Sequence, residues 1–420
     1  MISRVLSAEL AEHAGERVTI AGWVHRRRRL KSVSFLVVKD RSGVAQVVTS
    51  AALPAEESAV RVTGTVMASP RAPGGAELVE PEIEVLAEPV EAPPFDLYRP
   101  VVPAALPTIL DHAPVALRHP LLRAAPEISA ASAAGFRSTL DGLGFTEIHT
   151  PKIVASATES GANVFGIDYF GRPAYLAQSP QFYKQAMVGV FERVYEVGPV
   201  FRAEPHDTAR HLAQYTSLDA ELGFVRDHRD VMAVLREVLA GMLDAVRRRA
   251  PGAVAALGLD LPGVPAEIPA VHFTEAQRLT GQDEPDLSPA QERWLSDWAL
   301  REHGSEFLFV TGYPMAKRPF YTHPDPDRPG CSNGFDLLFR GLELVTGGQR
   351  LHRHQDYLDA LAARGECAEP YEGYLRTFAY GMPPHGGFAI GLERWTARLT
   401  GAANVRQVTL FPRDLHRLTP

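Results

Sequence analysis

One stretch, Val200–Glu221, constrains this chain more than any other part of the sequence. Its apolar beginning predicts the end of a strand at Phe201, and apolar and acidic residues predict a second strand over Leu218–Phe224. An arginine and a glutamate follow the first strand at a spacing of two, which places both side chains on one face of an extended chain. The stretch therefore predicts two strands joined by a charged loop.

The charged residues of this loop have the chemistry that binds a nucleotide. Arg202 can neutralise an α-phosphate, and Glu204 can accept a hydrogen bond from an adenine amino group. Arg210 and His211 can cover a γ-phosphate. An ordinary hairpin with solvated charges is the alternative, and the stretch alone leaves both interpretations open.

Composition predicts a globular protein of two or three domains. The chain has 420 residues, of which 45% are hydrophobic and 22% charged. It contains no run of about 18 apolar residues, and its beginning lacks the apolar core of a signal peptide. Two cysteines, Cys331 and Cys367, are too few for a disulfide scaffold or a zinc site, so we expect a cytoplasmic protein. The net charge of −7 argues against indiscriminate nucleic-acid binding.

Residues 1–86 are predicted to form a small barrel of the oligonucleotide-binding kind. Between the first two strands lies a basic run, residues 26–31, and Phe35 and Gln46 lie on adjoining strands. Basic charge for phosphates, a ring for stacking and an amide for base edges make a minimal reader of single-stranded RNA. A solvated loop is the alternative for the basic run. The predicted strands are Val18–Val24, Phe35–Lys39, Val44–Thr49, Ala59–Val66 and Glu82–Leu86.

Residues 87–115 are rich in proline and are predicted to be an extended linker, which leaves residues 116–420 as a second domain. That domain should begin with a helix over Pro126–Leu143 and a strand over Phe145–Pro151. A loop of small residues is predicted over Ala155–Phe165.

Further along, a proline predicts the first turn of a helix that places Gln181 and Lys184 on one face. An isolated lysine on a solvated surface is the alternative. Asp336 and Glu343 fall on two predicted strands, Gly334–Phe339 and Leu342–Thr346, as paired carboxylates do when they hold a cation. Isolated acids on edge strands are the other possibility.

Near the end of the chain, a glycine-rich strand leads into a helix that opens at Leu392–Arg394. Its glycines let a ligand approach the backbone, and Arg394 can stack on or pair with a nucleotide. Taken alone, such a junction is weak support for a nucleotide site.

Together these segments resemble the three signature motifs of the class II aminoacyl-tRNA synthetases. The helix and strand that end at Pro151 are similar to motif one. Phe201–Glu204, together with the loop that follows it, is similar to motif two, and Gly391–Arg394 is similar to motif three. Within that class the chain resembles aspartyl-tRNA synthetases of the short archaeal and eukaryotic type. The stretches that carry this resemblance are Gln178–Gln185, Arg318–Thr322 and Pro383–Gly387.

The resemblance implies an α+β fold class. An N-terminal OB-fold barrel that binds the anticodon would be joined to a class II catalytic domain, with an antiparallel β-sheet flanked by helices. It also implies an aspartate–tRNA ligase that uses ATP, Mg²⁺, L-aspartate and tRNA(Asp), and a homodimer built on motif one.

Family roles carry over to the nucleotide site residue by residue. Arg202 would contact the α-phosphate and the substrate carboxylate, Glu204 the adenine amino group, and Arg394 the adenine face. Arg202, Arg394 and Glu343 would be the catalytic residues. The other ATP-binding residues implied are Ala203, Arg210, His211, Leu212, Gly391, Leu392 and Glu393.

For the amino acid, Lys184 and Arg350 would pair with the side-chain carboxylate of aspartate. Glu343 would hold magnesium together with Thr346, which replaces the usual serine and keeps its hydroxyl. Glu159 would meet the amino group. The aspartate-binding residues implied are Glu159, Gln181, Lys184, Arg202, Asp336, Thr346 and Arg350.

In the barrel, Phe35 would stack on an anticodon base and Gln46 would read the central uridine. His25 and Pro81 stand where relaxed members of the family differ from strict ones. Because Pro81 has neither a side-chain donor nor a backbone N–H, it cannot add a hydrogen bond to a cytosine. The hypothesis is an enzyme that also charges tRNA(Asn), for a separate amidotransferase to convert.

Four alternatives remain at this point. They are a strictly discriminating aspartyl enzyme, an asparaginyl-tRNA synthetase, an inactive RNA-binding paralog, and a tRNA-independent amide-forming ligase. Two cations, Lys184 and Arg350, suit a carboxylate better than an amide, which favours aspartate over asparagine. Intact motif residues argue against an inactive copy, and the barrel argues against the amide-forming ligase.

Overall fold

A computed structural model describes residues 4–155, 163–205 and 207–419. The chain separates into two compact units, residues 1–119 and residues 120–420. The finer division predicted from the sequence, with a linker over residues 87–115, stays a prediction. Within the described ranges, no helix combines the length and the apolar composition needed to cross a membrane.

The first unit contains a closed five-stranded barrel, which confirms the predicted OB-fold. Its strands are β1 (Arg17–Arg29), β2 (Ser34–Lys39), β3 (Val44–Thr49), β4 (Ala59–Ala68) and β5 (Ala76–Ala87). They follow one another around the barrel in the order β1-β2-β3-β5-β4. Alternate side chains point inward, so that Val60 and Val62 are buried while Arg61 between them is exposed.

Two details of the barrel differ from the sequence prediction. The four arginines of the basic run belong to β1, because pairing with β2 continues to Arg28↔Phe35 and Arg29↔Ser34. The last strand begins at Ala76, and Pro81 therefore lies inside it rather than before it. A break in register opposite Gly64 accommodates the proline, as expected for a residue that cannot donate to the ladder.

The proline-rich segment is not extended throughout. It contains two short helices, α1 (Leu106–Asp111) and α2 (Ala113–Ala116). Each has a proline in its first turn, where a missing N–H leaves no helix hydrogen bond unmade. These prolines therefore begin helices instead of preventing them.

The second unit is built on an eight-stranded sheet. Its order is β12-β13-β14-β15-β16-β11-β10-β6, and β7, β9 and β8 form a small separate sheet. The six central strands are antiparallel, as predicted, and one short strand is added in parallel at each edge. The strands are β6 (Thr146–Glu147), β7 (Ile153–Val154), β8 (Gly166–Tyr169), β9 (Arg172–Leu176), β10 (Arg193–Phe201), β11 (Gln214–Gly223), β12 (Ala270–His272), β13 (Phe307–Thr311), β14 (Gly334–Phe339), β15 (Leu342–Arg350) and β16 (His385–Gly391).

The helices of this unit flank the sheet. They are α3 (Pro120–Gly142), α4 (Gln181–Phe191), α5 (His228–Arg249), α6 (Pro251–Leu257), α7 (Phe273–Thr280), α8 (Pro289–His303), α9 (His354–Ala363), α10 (Glu372–Leu375) and α11 (Leu392–Thr400). The predicted start of the first of these at Pro126 is wrong, because α3 continues through this proline. Burial of Ala124 and Ile128 in the core offsets the hydrogen bond that the proline removes. The strand predicted over Phe145–Pro151 is shorter than expected, because only the two residues of β6 are paired in the sheet.

Alternation along β11 separates a packed face of the sheet from an open one. Leu218, Ala220 and Leu222 point into the core formed with α3 and α5. Ser217 and Asp219 point to the other face, where they line a cavity. One strand thus contributes to the core and to the candidate site at the same time.

Helices α3 and α5 cross so closely that glycine is required. A Cβ added at Gly135 would lie 2.7 Å from the Gly241 carbonyl oxygen and 2.7 Å from the Met242 Cα. Backbone atoms cannot move aside as a flexible side chain can. The packing of the two helices therefore depends on this position.

We expect Gly135→Ala to lower the free energy of unfolding by about 1–3 kcal/mol, although alanine is the better helix former. Gly252→Ala on α6 is the matched control, because no atom lies within 4 Å of an added Cβ there. Urea denaturation of both variants measures the difference. If Gly135→Ala is as stable as Gly252→Ala, then α3 and α5 can move apart to fit the methyl group without a loss of stability, and the prediction is wrong.

Candidate active site

A cavity of about 380 Å³ opens on the face of the sheet opposite α3 and α5. Its walls come from strands β11, β14, β15 and β16, the first turns of α4 and α11, the loop that follows β10, and the segment over residues 318–322. Most of the residues predicted for the site meet here. Those lining the cavity are Gln181, Lys184, Arg202, Glu204, Arg210, His211, Leu212, Glu343, Thr346, Arg350, Gly391, Glu393 and Arg394.

Of the described residues that were predicted for the aspartate and ATP sites, three do not line the cavity, namely Ala203, Asp336 and Leu392. Glu159 lies outside the described residues. Leu392 is buried in the core and Ala203 is half-buried. Asp336 is buried, and Arg318 donates to both of its carboxylate oxygens at 3.1 and 2.8 Å. Among the described residues Arg318 is therefore the partner of Asp336, and the predicted role of Asp336 in binding aspartate stays a prediction.

At one end of the cavity Lys184 and Arg350 are buried, and both are already paired with acids. The Lys184 Nζ lies 2.9 Å from Asp219 Oδ1 and 3.3 Å from Glu221 Oε2. Arg350 Nε donates to Glu221 Oε1 at 2.9 Å, and its Nη2 donates to the Gly387 carbonyl at 3.0 Å. The sequence interpretation named Lys184 and Arg350 as the two cations of this site but did not identify Asp219 and Glu221 as their partners.

Glu221 joins the two cations. Its carboxylate is fully buried, which disfavours the charged form, but the charges of Arg350 and Lys184 hold its pKa below the usual value. Both cations are thereby fixed at the cavity wall before any ligand arrives. Arg350 keeps one further nitrogen, Nη1, for which the described residues offer no hydrogen-bond acceptor.

Behind these charges lies a buried polar network centred on Gln185. Its Oε1 accepts from Gln181 Nε2 and from the Tyr374 hydroxyl, both at 2.9 Å. Its Nε2 donates to His385 Nε2 at 3.0 Å, and His385 Nδ1 donates to the Pro383 carbonyl at 2.9 Å. His385 must therefore be neutral, in agreement with burial lowering its pKa to about 4. The network fixes the orientation of Gln181 at the cavity wall.

At another part of the cavity Glu343 and Thr346 lie side by side on β15. The Thr346 hydroxyl donates to Glu343 Oε1 at 2.9 Å. Burial and the negative charge of Asp336 raise the pKa of Glu343 to about 7, against the opposing charge of Arg394. A carboxylate and a hydroxyl are the hard oxygen donors that Mg²⁺ prefers.

The described residues contain no group of three His, Cys, Asp or Glu side chains that could hold a metal ion. Magnesium commonly binds one or two carboxylates together with substrate phosphates. Because both oxygens of Asp336 accept from Arg318, Glu343 is the better candidate ligand. The residues present therefore fit a magnesium ion that is shared with a nucleotide.

Motif-two and motif-three residues surround the rest of the cavity. The Arg202 guanidinium lies 5.7 Å from the ring of Tyr215. The Glu393 carboxylate accepts from the Thr216 backbone N–H at 3.0 Å, so it fastens α11 to β11. Arg394, one residue on, carries no hydrogen bond or ion pair to any described residue, and its positive charge faces Glu343.

The barrel carries the predicted RNA-reading residues on one outer surface. Cross-strand pairs place Phe35 beside Arg28 and Val48, and Gln46 beside Val37. Phe35 is half-buried rather than exposed, and Gln46 Nε2 donates to Glu77 Oε2 at 2.7 Å.

His25 lies at a break in the register of β1, between Val24 and Arg26. Burial, together with the positive charges of Lys39, His119 and Arg26, lowers the pKa of His25 to about 4. The ring is therefore neutral at physiological pH. A neutral imidazole can both donate and accept a hydrogen bond.

The acids missed from the sequence left a faint signal. Tyr215, Ser217, Asp219 and Glu221 recur at a spacing of two, and the residues between the last three, Leu218 and Ala220, are apolar. Polar side chains on one face of a buried strand indicate a site on that face. Arg318 gave no comparable signal, because its partner Asp336 is 18 positions away.

The neutral state of His385 predicts a pH dependence of stability. An unfolded chain takes up a proton near pH 6.5, whereas folded His385 resists protonation until about pH 4. The stabilisation is therefore complete above pH 6.5 and declines as the pH falls. Between pH 7 and pH 5 the wild type should lose about 2 kcal/mol more than His385→Gln. Urea denaturation at both pH values tests this; identical losses would contradict it.

Comparisons with known proteins agree with this geometry. Residues 107–415 match the family model described as tRNA synthetases class II (D, K and N), and residues 18–86 match an OB-fold nucleic acid binding domain. An aspartate–tRNA(Asp/Asn) ligase of Thermus thermophilus is 48% identical over 99% of this chain and 100% of that protein. The ligase of the same name from Methanopyrus kandleri is 41% identical, over 97% of each.

Solved structures show the same architecture. The asparaginyl-tRNA synthetase of Pyrococcus horikoshii with asparaginyl-adenylate superimposes with a TM-score of 0.92 and 31% identity, over all of both chains. The aspartyl-tRNA synthetase of Entamoeba histolytica gives a TM-score of 0.88 and 28% identity, over 100% of this chain and 93% of that one. Two family matches in the predicted order and full-length relatives leave one conclusion: the chain belongs to the class II aminoacyl-tRNA synthetases, in the aspartate–tRNA ligase family, whose members use ATP.

Proposed function

We propose that this enzyme activates L-aspartate with ATP and transfers it to tRNA(Asp) and to tRNA(Asn). The observation that carries the choice of amino acid is the pair Lys184 and Arg350 at one end of the cavity, held by Glu221. The relatives named as aspartate–tRNA(Asp/Asn) ligases support the choice of both tRNAs.

The donors at this end suit a carboxylate better than an amide. Lys184 Nζ is shared among Asp219, Glu221 and the Phe388 carbonyl, and Arg350 retains Nη1 for a ligand. A guanidinium nitrogen can only donate, so it pairs with a carboxylate oxygen and not with an amide NH₂. An asparagine side chain must then turn its carbonyl oxygen to Arg350 and leave its NH₂ to find another acceptor.

In the first step, the aspartate α-carboxylate attacks the α-phosphorus of ATP in line. The bond from phosphorus to the bridging oxygen breaks, and aspartyl-adenylate and pyrophosphate result. Arg202 stabilises the negative charge that develops on the α-phosphate, and Arg210 and His211 hold the pyrophosphate end. In the second step a ribose hydroxyl at the tRNA end attacks the acyl carbon, and AMP leaves.

Glu343 and Thr346 would hold the magnesium ion, and the ion would offset phosphate charge when bound. A nearby cation would also stabilise the ionised form of Glu343, whose pKa burial and Asp336 raise to about 7. Arg394 would cover the adenine face, as the family resemblance implies.

The proposal includes a homodimer. Strand β6 is the last strand at one edge of the large sheet. Near it, the end of α4 presents Val190 and Phe191, which are 65% and 46% exposed. A second copy that covers this edge would bury these side chains and pair the open strand.

A cytoplasmic location is also part of the proposal, because tRNA is the substrate and Cys331 and Cys367 are free thiols. Aspartyl-tRNA(Asn) would need a separate amidotransferase to become asparaginyl-tRNA(Asn).

The amino-acid assignment is tested by ATP–pyrophosphate exchange with Mg²⁺. Lys184→Met should raise the KM for aspartate between about ten- and a hundredfold, because a charge-assisted contact is worth about 1.5–3 kcal/mol. The KM for ATP should stay near the wild-type value. The exposed Lys317 provides the control, Lys317→Met, which should leave both constants unchanged. Equal exchange with asparagine and aspartate in the wild type would overturn the assignment.

The tRNA assignment is tested by charging both transcripts side by side. Pro81 offers no donor to the third anticodon base, so both tRNAs should be charged. Pro81→Lys restores a donor and should favour tRNA(Asp) by about 1–3 kcal/mol, the discrimination expected of one good base contact. A wild-type preference for tRNA(Asp) above about a hundredfold, some 2.7 kcal/mol, would rule out relaxed charging.

A further inference from the structure

The loop over residues 207–213 presents Arg210 and His211 to the cavity, yet it contains no helix or strand of its own. Long side chains can hold a phosphate firmly only if the backbone that carries them is fixed. The C-terminal segment, residues 405–417, supplies that support at both ends of the loop.

Arg406 binds the beginning of the loop. Its Nη1 donates to the Thr208 carbonyl at 3.1 Å, and its Nη2 donates to Asp207 Oδ1 at 3.0 Å. Beside it, the Val405 N–H donates to the Ala209 carbonyl at 2.9 Å. Three consecutive loop residues are therefore held by two consecutive residues of the segment.

Arg406 is itself anchored to the chain terminus. Its Nε donates to Asp414, and the side chains of both residues are mostly buried, 11% and 7% exposed. Burial disfavours ionisation of Asp414, but the hydrogen bonds from Arg406 and from two backbone amides hold its pKa below the usual value. The guanidinium thus connects the loop to the terminal segment through two acids on opposite sides.

The same segment holds the far end of the loop. The Ala213 N–H donates to the Arg413 carbonyl at 2.8 Å, and Gln214 pairs with Arg413 as an isolated bridge. Leu212 packs against an apolar cluster that contains Val405 and Val408. Between these two fixed ends lie the residues that would meet the phosphates.

Charge gives Arg406 a second effect. Asp207 is 53% exposed and lies three residues from Arg210 on the same loop. Arg406 offsets this negative charge with an ion pair. Without Arg406, the described residues leave only His416, at 3.5 Å, beside this carboxylate, whose negative charge acts against the binding of a triphosphate.

We propose that Arg406 is a positioning residue for ATP: together with the terminal segment, it fixes the loop over residues 207–213 in the geometry that binds the β- and γ-phosphates. This inference rests on the proposed function, because it assigns the loop to ATP. The inference makes ATP binding depend on the C-terminal segment as well. Arg406 itself contacts none of the predicted catalytic residues; it binds Asp207, Thr208 and Asp414.

The test compares Arg406→Met, Arg406→Lys and Asp207→Asn in ATP–pyrophosphate exchange with the full-length enzyme. Arg406→Met should raise the KM for ATP about tenfold, which is the loss expected for one misplaced charge-assisted contact. The KM for aspartate should stay within about twofold, because Lys184 and Arg350 lie on other elements. Arg406→Lys should recover part of the loss, since an ammonium can pair with one of the two acids.

Arg236→Met is the matched control. Arg236 is a half-buried arginine of the same unit that donates to the Pro265 carbonyl at 3.0 Å and pairs with Glu237, and neither partner lines the cavity. It should leave the KM for ATP unchanged. Amide hydrogen exchange gives a readout apart from activity: the amides of residues 207–213 should exchange faster in Arg406→Met and not in Arg236→Met.

An unchanged KM for ATP in Arg406→Met, or equal rises in the KM for ATP and for aspartate, would overturn the inference. If Arg406→Met does not fold, Asp207→Asn decides, because Asp207 is exposed and the change replaces its ion pairs with Arg406 and His416 by at most neutral hydrogen bonds. In that case the inference is overturned if Asp207→Asn has the wild-type KM for ATP and its amides in residues 207–213 exchange at the wild-type rate. A wild-type enzyme without aspartate-dependent exchange would instead refute the proposed function.

Discussion

The buried carboxylate of Glu221 is the constraint on which the site depends. A charge without solvent destabilises a fold unless it is paired, and here it is paired twice, with Lys184 on α4 and with Arg350 on β15. Three elements that are far apart in sequence must therefore come to one point. The same pairing directs two cations at the cavity before a ligand binds, so one interaction serves both the fold and the chemistry.

The alternation of β11 makes this possible at little cost to the core. Its even positions, Leu218 to Leu222, pack against α3 and α5, while Asp219 and Glu221 face the other way. Neighbouring β16 brings the Phe388 and Gly387 carbonyls to Lys184 and Arg350. Gly387 has to be glycine, because an added Cβ would lie 2.1 Å from Glu221 Oε2. The glycine-rich strand therefore serves the ion pairs as well as the approach of a ligand.

Much of this could be predicted from the sequence because the signals are local. The strand Gly334–Phe339 was predicted with its observed bounds, and the residues of motifs two and three meet in one cavity as expected. The acids at 219 and 221 were missed because their partners lie 35 and 129 positions away. The alternation along β11 indicates which face these acids occupy, but a single sequence does not show which distant residues pair with them. The predicted helix start at Pro126 was wrong for a related reason, because tertiary packing outweighs the tendency of a proline to begin a helix.

The choice between aspartate and asparagine cannot come from the fold, since an asparaginyl-tRNA synthetase superimposes with a TM-score of 0.92. Net charge does not decide it either, because Lys184 and Arg350 are balanced by Asp219 and Glu221. What remains is the direction of the hydrogen bonds. The donor of Arg350 that no described residue uses requires an acceptor, so an asparagine side chain must turn its carbonyl oxygen to this donor and leave its NH₂ to find another acceptor. Since an unpaired buried polar group costs about 1–3 kcal/mol, donor geometry rather than excess positive charge selects the carboxylate.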